Sequence, residues 1–123
     1  MSAFKDHFFQ TQDGLRLYAR DYPGPDENAP VVLCLHGLTR NSRDFQELTP
    51  ALADHFRVLV PEQRGRGRSD YDDNLSRYAV LQYVEDMRGL LSDLGIKQVA
   101  IVGTSMGGLM TFALNALYPG LVT

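Results

Sequence analysis

This chain of 123 residues offers little for a crosslink, a membrane or a polyanion. It has one cysteine, Cys34, so no intrachain disulfide can form. That thiol lies in the apolar run Val31–Leu35, where a cysteine acts as a small buried hydrophobe. A reducing, cytoplasmic compartment is the default expectation. No apolar stretch approaches the roughly 20 residues that span a bilayer. Residues 1–10 are polar and aromatic, without a signal-type apolar core, so no membrane partner is expected. Basic residues are not in excess: 12 Lys and Arg against 15 Asp and Glu give a formal charge of -3. Such a chain presents no basic face to nucleic acid. The histidines, His7, His36 and His55, show no metal-ligand spacing, so no metal site is expected. No segment repeats, and no linker is long enough to separate a second domain from the first. The 44% hydrophobic and 22% charged content fits one globular domain with a modest core.

The apolar rhythm changes along the chain. Phe8 to Thr11 and Leu15 to Arg20 read as an antiparallel pair around Asp13-Gly14, a strong hairpin signal. Leu15, Leu17 and Ala19 point one way and Arg16, Tyr18 and Arg20 the other, which predicts a half-buried pair. Tyr22 to Pro30 reads as a solvent loop. Val31–Leu35, Arg57–Val60 and Gln98–Val102 are short, continuously apolar runs, as expected of strands covered on both faces. Asn41 or Ser42 can cap a helix carrying Phe45, Leu48 and Leu52, with Pro50 placing its true start near Thr49. Ser76 to Leu94 reads as the best helix, with Val80, Val84, Met87, Leu91 and Leu94 in one stripe and Gly95 ending it. Leu109 to Tyr118 reads as the last helix, and residues 121–123 as the start of a further strand. The alternation predicts an α/β fold: a mostly parallel sheet with helices on both faces and an N-terminal antiparallel hairpin.

Two loops carry the chemistry. In Gly103-Thr104-Ser105-Met106-Gly107-Gly108 a serine is flanked by glycines two residues away on each side, where an apolar strand meets a helix. The serine can then sit on a tight, strained strand-to-helix turn, with its hydroxyl thrust out above the sheet. The N–H of Met106 is left at a helix N-terminus, facing any developing negative charge. The competing reading is a glycine-rich helix start with a capping serine. Leu35-His36-Gly37-Leu38 ends an earlier strand at the same sheet edge, where open parallel sheets bind ligands. Gly37 lets the backbone turn, so the N–H of Leu38 can face the same oxygen as that of Met106. Each such donor is worth roughly 3 kcal/mol in comparable enzymes. The glycines Gly65 and Gly67 suggest a phosphate cradle, but no Gly-Lys-Ser/Thr follows, and nucleotide binding is not expected. Arg64, Arg66 and Arg68 are expected to solvate that loop or to pair with Asp70, Asp72 and Asp73. His55 is expected to meet the C-terminal carbonyls of the preceding helix, and His7 to be exposed.

With these pieces assembled, the chain resembles the N-terminal half of an α/β-hydrolase-fold protein. The antiparallel pair, Leu35-His36-Gly37-Leu38, the loop from Pro61 to Asp70 and the glycine–serine stretch cover nearly the whole sequence in the family's order. The resemblance implies a truncated α/β-hydrolase fold, with residues 1–123 as the N-terminal part of a single domain lacking its C-terminal strands, lid, acid and histidine. It implies Ser105 as nucleophile and the N–H groups of Leu38 and Met106 as the oxyanion hole. His36, Gly37, Gly103, Gly107 and Gly108 support the site, with His36 ordering the oxyanion loop rather than serving as base. The Ser105-Met106-Gly107-Gly108 form is similar to esterases, enol-lactonases and carbon–carbon bond hydrolases. Family members that open epoxides or cleave halides place aspartate at the position of Ser105. The family usually has aspartate where this chain has Glu62, a departure of little expected consequence. The implied activity is that of a serine hydrolase on a small-molecule ester, lactone or related carbonyl substrate, through an acyl-enzyme and without a cofactor. A serine-type carbon–carbon hydrolase, a cofactor-free peroxidase and a non-catalytic binding scaffold are the alternatives on the same fold.

A serine hydroxyl is a weak nucleophile until a base removes its proton. In the family the order is serine, acid, histidine, and residues 106–123 contain neither a carboxylate nor a histidine. The expectation is a chain inactive or impaired by itself, and an exposed edge at Gln98–Val102. A complementing C-terminal segment, or another copy pairing along that edge, is the expected protein partner.

Overall fold

The computed structural model describes residues 4–123. Strands β1 (Lys5–Gln10), β2 (Arg16–Tyr22), β3 (Val31–Leu35), β4 (Arg57–Glu62) and β5 (Ala100–Gly103) form one sheet in the order β1-β2-β4-β3-β5. β1, β2 and β4 pair antiparallel, while β3 lies parallel to both β4 and β5. The sheet is thus mixed, and the expected parallel part begins at β4. β5 is the edge strand, and its outer side carries only the parallel bridge Val99–Val122 among the described residues.

Strand alternation sends side chains to two cores. Leu17, Ala19, Leu33, Leu35 and Leu59 face one side, under α2 (Val80–Asp93) and α3 (Met106–Leu117). Tyr22, Val32, Cys34, Val58 and Val60 face the other, with Phe45 and Ala53 from the segment around α1 (Thr49–Ala53). Cys34 is fully buried in this second core, and burial pushes its thiol up to about 12, so it is a packing residue. Among the described residues no helix is long and apolar enough to cross a membrane.

The outer face of the hairpin is more covered than the alternation predicts. Tyr18 is buried, with Phe8 at 5.1 Å and the Arg68 guanidinium 4.9 Å from its ring. Its hydroxyl donates to Asp6 at 2.6 Å. Arginines and aromatics that looked solvent-facing stack on one another and cover Tyr18, while Phe8 and Arg16 stay exposed.

Helix boundaries shift for local reasons. Asn41 caps a single 3₁₀ turn, Ser42–Phe45, and α1 starts separately at Thr49 with Pro50 in its first turn. α2 begins at Val80 because Tyr78 leaves helical geometry, with φ -81° and ψ 73°. There its hydroxyl accepts the N–H of Asp72 at 2.7 Å. The buried face of α2 also takes in Tyr83, Asp86 and Leu90.

Arg64 takes Asp72 as a partner, as the sequence allowed, but the larger finding is that it is fully buried rather than solvating the loop. It donates to Asp86 at 2.8 and 2.6 Å, to Asp13 at 2.8 Å and to Asp72 at 2.7 Å. One guanidinium thus ties the hairpin turn, the loop after β4 and helix α2 together. Its hydrogen bond, with one from Thr11, holds the Asp13 carboxyl down to about 2. Asp70 instead accepts the backbone N–H of Arg16, and Arg68 pairs with Asp6 at 3.1 Å.

Candidate functional site

The parallel register of β3 and β5 builds the site. Leu35 lies opposite Gly103, so His36-Gly37 and Thr104-Ser105 leave the sheet side by side. The bond from Thr104 N–H to the Leu35 carbonyl, 3.1 Å, extends the ladder by one residue. The chain then reverses at once. Gly107 N–H donates to the Thr104 carbonyl at 2.9 Å, closing a turn with Ser105 in its first central position. Ser105 has φ 53° and ψ -110°, the only positive φ outside glycine among the described residues. These angles are close to those of the first central residue of a type II′ turn, a place dominated by glycine. A side chain there costs of order 1–3 kcal/mol and persists only where its surroundings impose it.

Those surroundings are glycines 103 and 107. A Cβ on Gly107 would overlap the Leu35 carbonyl oxygen, and one on Gly103 would lie 2.6 Å from the Gly107 carbonyl. Helix α3 therefore starts at Met106, directly after Ser105 and three residues ahead of the expected Leu109. Gly108 is different: a Cβ there would meet nothing within 4 Å. Its supporting role in the sequence reading has no steric basis.

Ser105 is exposed, its side chain makes no capping bond, and the reading of it as an ordinary helix cap is overturned. Met106, next in the chain, is buried at the N-terminus of α3, and its N–H has no backbone acceptor among the described residues. On the other loop, Arg40 N–H donates to the Gly37 carbonyl at 3.2 Å, closing a turn over residues 37–40. Leu38 is 57% exposed on that turn, and its N–H likewise has no backbone acceptor among the described residues. A Cβ built on Gly37 would lie 3.7 Å from the Ser105 Cβ. Gly37 has no positive φ, and a Cβ there would meet only ordinary contacts, so neither the bend expected from the sequence nor a close approach requires glycine at this position.

His36 is fully buried with both ring nitrogens engaged. Nδ1 lies 2.7 Å from the Gly37 carbonyl oxygen, and Nε2 accepts the N–H of Gln63 at 3.0 Å. The tautomer follows: Nδ1 carries the proton and Nε2 cannot take another. Burial, aided by Arg66, lowers its pKa below the ordinary imidazole range. His36 is therefore a neutral clamp between the end of β3 and Gln63. His7 is half-buried and 3.0 Å from Asp93, and exposed His55 packs edge-on to Phe56. Only the backbone N–H of His55 reaches the Leu52 carbonyl, at 3.0 Å. No group of His, Cys, Asp and Glu among the described residues could hold a metal ion.

Two residues of this edge do more than their sequence context signals. Buried Glu62 accepts Ser42 N–H and Oγ–H, each at 3.1 Å, and Arg68 N–H at 2.9 Å. Gly67 passes so close that a Cβ would collide with this carboxylate. The glycine cradle that suggested a phosphate thus already holds an anion of the chain's own. Arg66 turns inward, and its Nε–H donates to the Leu38 carbonyl at 2.9 Å.

A serine on a positive-φ bend, between a strand and a helix at the carboxyl ends of parallel strands, is the geometry of a strand-to-helix elbow on an α/β sheet. The family model for the alpha/beta hydrolase fold matches residues 30–123, and the chain belongs to that family. Among curated relatives, it is 42% identical over 104 residues to 3-hydroxybutyrate-oligomer hydrolase of Cupriavidus necator, covering 85% of this chain and 36% of that protein. It is 32% identical over 107 residues to epoxide hydrolase B of Mycobacterium tuberculosis, covering 86% of this chain and 30% of that protein. The crystal structure of an alpha/beta hydrolase from Novosphingobium aromaticivorans superposes with a TM-score of 0.93 at 47% identity, over 99% of this chain and 42% of that one. The chain spans about a third of the length of the curated relatives it matches.

The packing generates two predictions. Gly107→Ala will lose about 1–3 kcal/mol of stability, as overpacking does, while Gly108→Ala will be neutral or gain up to about 1 kcal/mol of helix propensity; urea unfolding compares them. Because folded His36 resists protonation, its contribution is complete above about pH 6.5 and declines as pH falls below that value. Urea midpoints measured from pH 8 to 5 will fall accordingly, and His36→Gln will lower stability throughout while removing that component of the slope.

Proposed function

We propose that this chain carries the nucleophile and oxyanion hole of a serine hydrolase acting on a carboxylic ester, lactone or related carbonyl substrate. The supporting observation is the backbone of Ser105: an exposed hydroxyl on a φ 53° bend, beside Gly37 and the N-terminus of α3. In this reading Ser105 Oγ attacks the substrate carbonyl carbon as a base takes its proton. The carbonyl π electrons move to oxygen, and the N–H groups of Leu38 and Met106 receive that oxyanion. Collapse expels the alcohol, which takes the proton back from the base, and leaves an acyl-Ser105 ester. Water repeats the sequence, releasing the acid and restoring the serine.

His36 cannot be the base, since its Nε2 lone pair is bound to Gln63. No other histidine or carboxylate contacts Ser105 among the described residues. In the proposed mechanism a histidine oriented by an acid, both supplied from outside these 123 residues, completes the triad. The chain by itself is then expected to be inactive or impaired.

The relative named for 3-hydroxybutyrate oligomers favours an ester, since hydroxy-acid oligomers are joined by ester bonds. The relative named an epoxide hydrolase raises a second activity. Epoxide-opening members of the resembled family use aspartate as nucleophile, and Ser105 stands at that position here. A serine hydroxyl supports acyl transfer, and the ester reading is preferred.

The test uses the protein at its full natural length. A fluorophosphonate probe should label Ser105, as read by peptide mass spectrometry, and Ser105→Ala should abolish both labelling and p-nitrophenyl ester turnover. Turnover that survives Ser105→Ala, or labelling at a different residue, would exclude the proposal.

A further inference from the structure

Resting on that reading of Ser105, we propose that Arg66 is a positioning residue that locks the turn presenting the Leu38 N–H to the oxyanion. The turn needs such a lock. Residues 38–40 are exposed, and the bond that closes it, Arg40 N–H to the Gly37 carbonyl, is long at 3.2 Å. Leu38 stands between two peptide planes: its N–H lies in the first, and the second carries the turn that supports it. The plane before it is held at the Gly37 carbonyl by His36 Nδ1–H, 2.7 Å away. In a trans peptide the N–H points opposite to the carbonyl, so this contact directs the Leu38 N–H away from His36. The plane after it is held at the Leu38 carbonyl by Arg66 Nε–H at 2.9 Å. With a side chain holding each carbonyl, φ and ψ of Leu38 are restrained from both sides.

Arg66 is itself well anchored. Its Nη1 donates to the Arg64 carbonyl at 2.9 Å and to the Tyr83 hydroxyl at 3.0 Å. Its guanidinium lies 5.0 Å from the Tyr83 ring centroid and 5.9 Å from that of Tyr78. Arg64 carries this anchor down to helix α2 through its pair with Asp86. Lysine cannot reproduce the arrangement, because a single ammonium lacks the fixed fork that serves Leu38, Arg64 and Tyr83 together. The hydrogen-bond acceptors of Arg66 are all neutral oxygens, unlike the carboxylates around Arg64. Its positive charge therefore remains available beside the turn, where negative charge is proposed to develop.

Two readouts in the full-length protein test this, one of them independent of catalysis. Amide hydrogen exchange at Arg40 reports the closure of the turn, and ester hydrolysis reports its use. Arg66→Met should speed Arg40 exchange about tenfold and lower kcat about tenfold or more, with KM within about twofold. Arg66→Lys should fall between Met and the native residue in both. Tyr83→Phe, which removes one anchor and keeps the ring, should show a smaller change of the same sign, and it carries the test if Arg66→Met does not fold. Unchanged exchange, unchanged kcat, or a change confined to KM would overturn the proposal. A native protein whose Ser105 fails to label would instead remove the nucleophile reading, and faster Arg40 exchange would then mark a clamp without a catalytic role.

Discussion

The first turn of α3 rests on the carbonyl of Leu35 with no side chain between them, because residue 107 is glycine. That contact sets where the helix can begin, and so how far the chain has to reverse after β5. Four residues, Thr104 to Gly107, make the whole turn, and the strain falls on Ser105. An exposed hydroxyl and an unengaged Met106 N–H both follow from it. The register of β3 with β5 then brings Gly37 and Leu38 alongside. The site is thus a consequence of helix-on-strand packing before any reacting group is considered.

Buried polar groups hold the loops around this contact. His36 ties the end of β3 to Gln63, Glu62 gathers the backbone of Ser42 and Arg68, and Arg64 ties three carboxylates from separate segments. Each makes at least one hydrogen bond to a group of another segment, so displacing that segment would strand a buried polar atom. This gives a rigid rim to strands whose ends would otherwise be mobile connections.

Much of this was readable in the sequence. The run Val31–Leu35 agrees with β3 at both ends, since a strand buried on both faces has no polar alternation to blur it. Gly103, Ser105 and Gly107 announced the bend because few backbones need that spacing. Long-range side-chain partnerships were not readable. Arg64, Arg66 and Arg68 alternate with glycines and look alike, yet one is buried among carboxylates, one clamps a carbonyl and one stacks on Tyr18. Their fates depend on Asp13, Leu38 and Asp6, which only the tertiary fold brings near. Glu62 looked like a minor departure for the same reason, and Gly108 borrowed importance from its neighbours.

The strain at residue 105 is the claim on which the functional account stands, and it can be measured without any substrate. Ser105→Gly and Ser105→Ala both delete the hydroxyl, but only glycine relieves a φ of 53°. Strain relief of order 1–3 kcal/mol exceeds the ~0.4–1 kcal/mol by which glycine loosens the unfolded chain. Urea unfolding should therefore find the glycine variant more stable than the alanine variant by about 1 kcal/mol. An alanine variant as stable as glycine, or more so, would mean an unstrained serine at an ordinary helix start, and would contradict the account.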